Sequence, residues 1–174
     1  MKKRFFSLFC IFMLLLSACA AKADSPADGG QEEQQGTGLT DAEGTRQVSV
    51  FVPDAQAEYL TGSYVDVPAR ESLPEMLING LAAKGALPET VKIIECAFQV
   101  EEGRLRLDLN SAYLDALEAG GSAGESMTLY AVVNTFLFNY PTADSFVLTV
   151  EGKTIETEHG VYADPFTEMQ YLRE

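Results

Sequence analysis

Few side chains in this 174-residue chain are of types and spacings that do chemistry. The stretch Gly120-Gly121-Ser122-Ala123-Gly124 matches G-x-S-x-G, the pattern that presents a nucleophilic serine on a sharp strand-to-helix turn. Asp144, His159 and Asp164 follow it and could supply an orienting acid and a base for acyl transfer. The same residues carry a competing reading. Ser122 and Glu125 stand in S-x-x-E spacing, in which serine accepts from the glutamate N–H and the glutamate reaches back to the serine N–H. An elbow needs a buried strand directly before the serine, and Ser111–Ala119, SAYLDALEA, reads as helical. Ser122 and Glu125 are therefore expected to be a structural helix cap, and no residue is assigned a catalytic role.

The remaining reactive types form no constellation. His159 is the single histidine and stands in a polar loop between Glu158 and Gly160. One histidine with Cys96 does not make a zinc ligand set, and no D-x-[DN]-x-[DN]-G loop offers a calcium site. Gly152-Lys153-Thr154 resembles the end of a P-loop, but Val147 stands where the first glycine belongs. No cofactor or metal is expected. Tyr59, Tyr64, Tyr162 and Tyr171 are candidates for an exposed binding surface for protein or glycan.

The strongest chemical signal lies at the amino terminus. Lys2-Lys3-Arg4 precedes an apolar run, Phe5 to Leu16, and no acid falls within residues 1–18. Such a run of ~12 residues is a secretory h-region, short of the ~20 needed to span a bilayer. It ends in Leu16-Ser17-Ala18-Cys19, which resembles the lipobox of bacterial lipoproteins. The resemblance implies lipidation of the Cys19 thiol and cleavage after Ala18. It also implies acylation of the new amino terminus. Two or more acyl chains give a stable anchor, at ~0.8 kcal/mol per buried CH₂. An ordinary secretory signal, with Cys19 incidental, is the alternative. Of three cysteines, Cys10 lies in the signal and Cys19 is the anchor, which leaves Cys96 alone in the folded part. Cys96 is expected to be a small buried apolar residue on the face shared by Ile94, Phe98 and Val100.

The formal net charge is −14, and cleavage of the signal removes three basic residues and no acid. A chain this acidic repels nucleic acid and anionic headgroups. A membrane link must then be apolar or covalent. Residues 20–45 hold one leucine and no aromatic side chain, too little apolar surface to offset ordering. They read as a flexible tether with a reach of about 30 Å. The expected division is 1–18 signal peptide, 19–45 anchored linker and 46–174 a single domain.

Within the domain, alternating Val48, Val50 and Val52 before Pro53 predict a strand, and Tyr64, Val65 and Val67 a second. Ser72 and Glu75 form a capping box with Pro74 in the first turn. Leu73, Met76, Leu77 and Leu81 extend that helix toward Gly85, with Asn79-Gly80 weakening it near its end. Val91–Val100 and Arg104–Leu109 predict a hairpin around Gly103. A short helix over 112–117 precedes a long apolar helix that Pro141 ends. Ser145–Val150 and Thr154–Thr157 are the last strands, and an irregular tail follows His159. The expected class is α+β, a single domain with a mixed, mostly antiparallel sheet and helices packed on one face.

This string of features resembles the GerM-type domain, the sporulation and spore germination domain. The resemblance is carried by Val48–Pro53, by Pro74–Gly80 running to Leu87-Pro88, and above all by Leu105–Asp115 (LRLDLNSAYLD) with GSAGE, LYAVVNTFLFNYP and FVLTVEGKTIET after it. Asp164-Pro165-Phe166 is similar to the family's closing motif in abbreviated form. The chain departs from the pattern at Gly80-Leu81, where Gly-Pro is usual, and at Pro141-Thr142, where Pro-Gly is usual. The resemblance implies a non-enzymatic envelope module of lipoproteins in spore-forming bacteria. Its partners would be the membrane, through Cys19, and an envelope protein or a second copy. Two further function classes stand beside it: a solute- or glycan-binding envelope lipoprotein, and a small serine hydrolase using Ser122.

Overall fold

The valine alternation at residues 48, 50 and 52 forms strand β1, Thr45–Pro53, which turns Val48 and Val50 into the core. It pairs antiparallel along its whole length with β2, Leu60–Pro68, with Ser49 opposite Tyr64 and Phe51 opposite Gly62. The structure is a computed structural model and describes residues 44–173. The expected signal segment, Cys19 and the expected linker through residue 43 lie outside the described residues.

Helix α1, Leu73–Ala83, begins as its sequence directs. The Ser72 N–H and hydroxyl both donate to Glu75 Oε2, at 2.9 and 2.7 Å, and Pro74 lies in the first turn. Gly80 does not shorten the helix. A Cβ there would come within 3.0 Å of Val50 Cγ1, so the glycine lets α1 lie close on β1. The helix ends in a Schellman motif, in which the Gly85 N–H donates to Ala82 O and the Ala86 N–H to Leu81 O, both at 2.9 Å.

The predicted hairpin is β3, Ile93–Gln99, and β4, Arg104–Leu109, joined through a 3₁₀ turn at Val100–Glu102. Helices α2, Ala112–Glu118, and α3, Gly121–Asn139, then carry the chain to β5, Ser145–Val150. That is the long connection a parallel pair requires, and β5 lies parallel to β4 with Leu107 beside Leu148. Strands β6, Lys153–Glu156, and β7, Val161–Tyr162, complete a five-stranded sheet in the order β3-β4-β5-β6-β7. The class is α+β with helices against a mostly antiparallel sheet, as expected. The strands divide between two sheets, because β1 and β2 pair only with each other.

Helix α3 explains the division. It packs on β1, on β5 and on α2, and from Leu129 to Phe136 every residue except Tyr130 is buried. The polar residues of α3 do not form a solvated face. Thr135 Oγ1 accepts the Phe51 N–H at 2.9 Å, and Asn139 Nδ2 donates to Ser49 O at 2.8 Å. These are backbone groups on the β1 edge that faces away from β2. The helix therefore completes that edge with side chains.

The tail after β7 is irregular, as expected, and it is tightly held. Phe166 exchanges both backbone hydrogen bonds with Phe146, each 2.8 Å long. Asn134 clamps Gln170, donating to its carbonyl at 2.7 Å and accepting its N–H at 3.1 Å. The Leu60 N–H then donates to Tyr171 O at 2.7 Å. The tail thus runs from the β5 edge, across α3, to the outer edge of β2.

Replacing Thr135 by valine keeps the volume but leaves the Phe51 N–H buried without an acceptor. Thr135→Val is expected to lower unfolding free energy by about 1–3 kcal/mol in a urea titration. Ser126→Ala, which removes only a hydroxyl bond to the exposed Ser122 carbonyl, is expected to change it by less than about 0.5 kcal/mol.

Candidate functional site

The residues with chemical potential are placed by α3 and the strands after it. Ser122 is exposed in the first turn of α3, and the helix has already started at Gly121, with Gly120 at its N-cap. The expected cap is therefore corrected: neither Ser122 nor Glu125 caps α3 with its side chain. Glu125 turns inward instead and is 1% exposed. Its Oε1 accepts the Thr157 hydroxyl at 2.7 Å and the Tyr162 hydroxyl at 2.6 Å. Those donors come from the turn between β6 and β7 and from β7 itself. The carboxyl group thus fixes the end of the sheet to the start of the helix, an interaction stronger than the exposed cap it displaces.

Beside this group lies a second buried polar side chain. The Tyr113 hydroxyl and Glu125 Oε2 are buried and lack a protein partner among the described residues. Burial raises the Tyr113 phenol well above its ordinary range, and Tyr162 and Glu125 add to the shift. Tyr162 is likewise raised by burial first and by its bond to Glu125 second. Each phenol stays neutral at physiological pH, and that of Tyr162 donates to Glu125. None of this is nucleophile chemistry: the two phenols and Glu125 serve as buried structural groups.

No hydrogen bond joins Ser122 to His159, Asp144 or Asp164 among the described residues, and a helix and a glycine turn precede Ser122 instead of a strand. His159 is exposed, with its backbone N–H on Thr157 Oγ1 at 3.1 Å. Glu151 and Gly152, before Lys153 and Thr154, both take positive φ and make the two-residue turn between β5 and β6. The P-loop look-alike is therefore a hairpin turn. Cys96 is half-buried on β3, and burial, with Glu95 adding to it, pushes its thiol up to about 11. Among the described residues no group of three or more His, Cys, Asp or Glu side chains is placed to hold a metal.

The tyrosine surface is smaller than expected. Tyr162 is taken inward by Glu125. Tyr171 meets the Tyr130 ring edge-on at 5.2 Å, and Tyr59 lies under the Arg173 guanidinium at 5.6 Å. Tyr64, 69% exposed on β2, alone of the four has no aromatic, cationic or side-chain hydrogen-bond partner among the described residues. An open groove of about 630 Å³ lies between α2 and the β5–β6 hairpin. Leu114, Val150 and Ile155 are its apolar lining, and Glu151, Lys153 and Glu156 line it as charged residues.

Residues 39–156 match the family model Germane, described as sporulation and spore germination. The chain belongs to this family. Among solved structures it is similar to the tandem GerMN domains of the sporulation protein GerM from Bacillus subtilis, at 20% identity and a TM-score of 0.56. That match covers 80% of this chain and 51% of the other, so this chain spans about half its length. A protein described as a lipoprotein from Clostridium perfringens also matches, at 18% identity and a TM-score of 0.44, over 76% of this chain and 93% of the other. No curated protein matches the chain. As a member of the Germane family the protein is a non-enzymatic GerMN-type module, which sets the hydrolase class aside.

Glu125→Ala strands the Thr157 and Tyr162 hydroxyls and is expected to cost about 1–3 kcal/mol in urea unfolding, with Ser122→Ala near neutral. Equal effects at the two sites would contradict the inward placement of Glu125. The buried phenols also set an alkaline limit. Their folded pKa values lie above the unfolded ~10, so their contribution is complete below pH ~10 and is lost as pH rises beyond it. Stability measured at pH 9 and 11 is expected to fall across that interval, and Tyr162→Phe is expected to flatten the fall.

Proposed function

We infer that this protein is a lipid-anchored, extracytoplasmic contact module of the cell envelope that serves sporulation or spore germination. In this reading residues 1–18 are removed and Cys19 is acylated. Residues 19–45 tether the domain of 46–174 just off the membrane. It acts by docking, on an envelope protein or on a second copy, and performs no reaction. The observation that carries the reading is the conjunction of two independent signals in one chain. One is the match of residues 39–156 to the sporulation and spore germination family. The other is Leu16-Ser17-Ala18-Cys19 directly after a short apolar run.

The described residues are compatible with an external anchor, since none of their helices is long and apolar enough to cross a membrane. The acidic surface gives no electrostatic hold on anionic lipid. Attachment therefore falls to the acyl chains. The groove between α2 and the β5–β6 hairpin keeps a second reading in play, a solute- or glycan-binding lipoprotein. Saturable stabilisation by envelope sugars in a thermal-shift screen, abolished by Leu114→Glu, would favour it.

Labelled palmitate is expected to enter the wild-type chain and not Cys19→Ala, and the variant is expected to leave the membrane fraction. Equal labelling of the two would remove the anchor. A deletion strain is expected to be impaired in spore formation or germination; normal performance in both would remove the process while leaving the family in place.

A further inference from the structure

The strand edges of this fold are protected unequally. The edge of β1 that faces away from β2 is occupied by Thr135 and Asn139 of α3. The edge of β5 is occupied at Phe146 by Phe166. The edge strand β3 is interrupted by a register shift between Ile93 and Glu95, and it carries that glutamate. Bulges and charges of this kind are how sheets avoid pairing edge to edge. The outer edge of β2 has no such device between Thr61 and Val65. The bonds of Ser49 and Phe51 to α3 fix which strand groups point away from the β1–β2 ladder. Their register partners, Tyr64 and Gly62, together with Asp66 opposite Gln47, turn their N–H and C=O groups outward. Leu60, in the same phase, shows that this edge accepts strand-like pairing, because its N–H already bonds Tyr171 O and it bridges Leu172. No backbone bond from Gly62, Tyr64 or Asp66 to any element other than β1 is present among the described residues.

The composition of the edge selects its occupant. The chain carries 26 acidic residues, yet Tyr59 to Val65 has none and no basic residue either. On so acidic a protein an uncharged strip is where two copies meet with least repulsion. The register is also self-complementary. Antiparallel pairing of β2 with itself about a two-fold axis at Tyr64 sets Tyr64 against Tyr64, and Gly62 against Asp66 of the other copy. No carboxylate then faces a carboxylate, and the two exposed rings form a cross-strand aromatic pair. We propose that the free edge of β2 at Gly62–Asp66 pairs with the same edge of a second copy, joining two two-stranded sheets into one of four strands. This names one partner for the contact module inferred above and does not depend on the lipid anchor.

The test uses the full chain in detergent, with mass followed by light scattering as concentration rises. Wild type is expected to pass from one chain to two, more readily at high salt, which screens the net negative charge. Tyr64→Lys and Tyr64→Glu each place like charges opposite one another and are expected to remain single chains, while an equal mixture of the two regains the dimer. Tyr64→Pro removes the exposed ring and an outward N–H that β1 does not use, so it is expected to abolish the dimer while β1–β2 pairing, read by circular dichroism, persists. Cys19→Ala is expected to dimerise like wild type, which separates this result from any failure of the anchor. A wild type that stays single at every concentration overturns the proposal. So does a dimer that survives Tyr64→Lys and Tyr64→Pro, or a Lys/Glu mixture that stays single.

Discussion

A polar side chain on a buried stretch of helix has to bond to whatever packs on it, and that constraint on the middle of α3 shapes most of this fold. Between Leu129 and Phe136 the helix lies against β1, β5 and α2 with only Tyr130 partly open. Its polar residues must therefore bond to whatever packs on them, because a buried donor or acceptor without a partner costs about 1–3 kcal/mol. Thr135 and Asn139 take the edge of β1, Asn134 takes the backbone of Gln170, and Glu125 takes the hydroxyls of Thr157 and Tyr162. Helix α3 joins the two small sheets, with α1 beside it on β1, β2 and β3, and the tail bonds to α3 and to both sheets. Aromatic rings continue the same axis. Phe136 stacks on Tyr140 and Phe146, and Tyr130 meets Phe166 and Tyr171.

Local signals in the sequence predicted local structure well. The valine alternation of β1, the Ser72–Glu75 box, the hairpin around Gly103 and the strand at 145–150 all follow from neighbours within a few positions. What failed depends on residues far away in the chain. The spacing of Ser122 and Glu125 is that of a cap, but Glu125 has better partners more than 30 positions later, at Thr157 and Tyr162. A buried carboxylate bonded to two hydroxyls wins over an exposed helix start. The partners of Asn134 and Thr135, Gln170 and Phe51, lie 36 and 84 positions away, beyond the reach of any local pattern. The tail looked irregular for the same reason. Its register is set by α3 and β5 and not by any period of its own.

The functional inventory follows similar lines. Two candidate chemistries dissolve once geometry is known. The serine of G-x-S-x-G follows a helix, and the lysine of the P-loop look-alike follows a hairpin turn. What remains is a folded unit of the Germane family in which Glu125 and Tyr162 are bonded structurally and Ser122 and His159 stand apart on the surface. The surface proposed for contact is a hydrogen-bonding strand edge with an exposed ring. A contact module needs a rigid frame behind such a surface, and α3 with its bonded tail supplies it.

That frame is open to one direct measurement, amide hydrogen exchange on the full chain. If α3 binds both sheets and the tail into a single cooperative unit, the amides of Phe51, Phe166 and Gln170 exchange only with global unfolding, at the same free energy as residues 129–136. Exchange of Phe166 and Gln170 at a markedly lower free energy than the helix would show a detachable tail and contradict the central place given to α3.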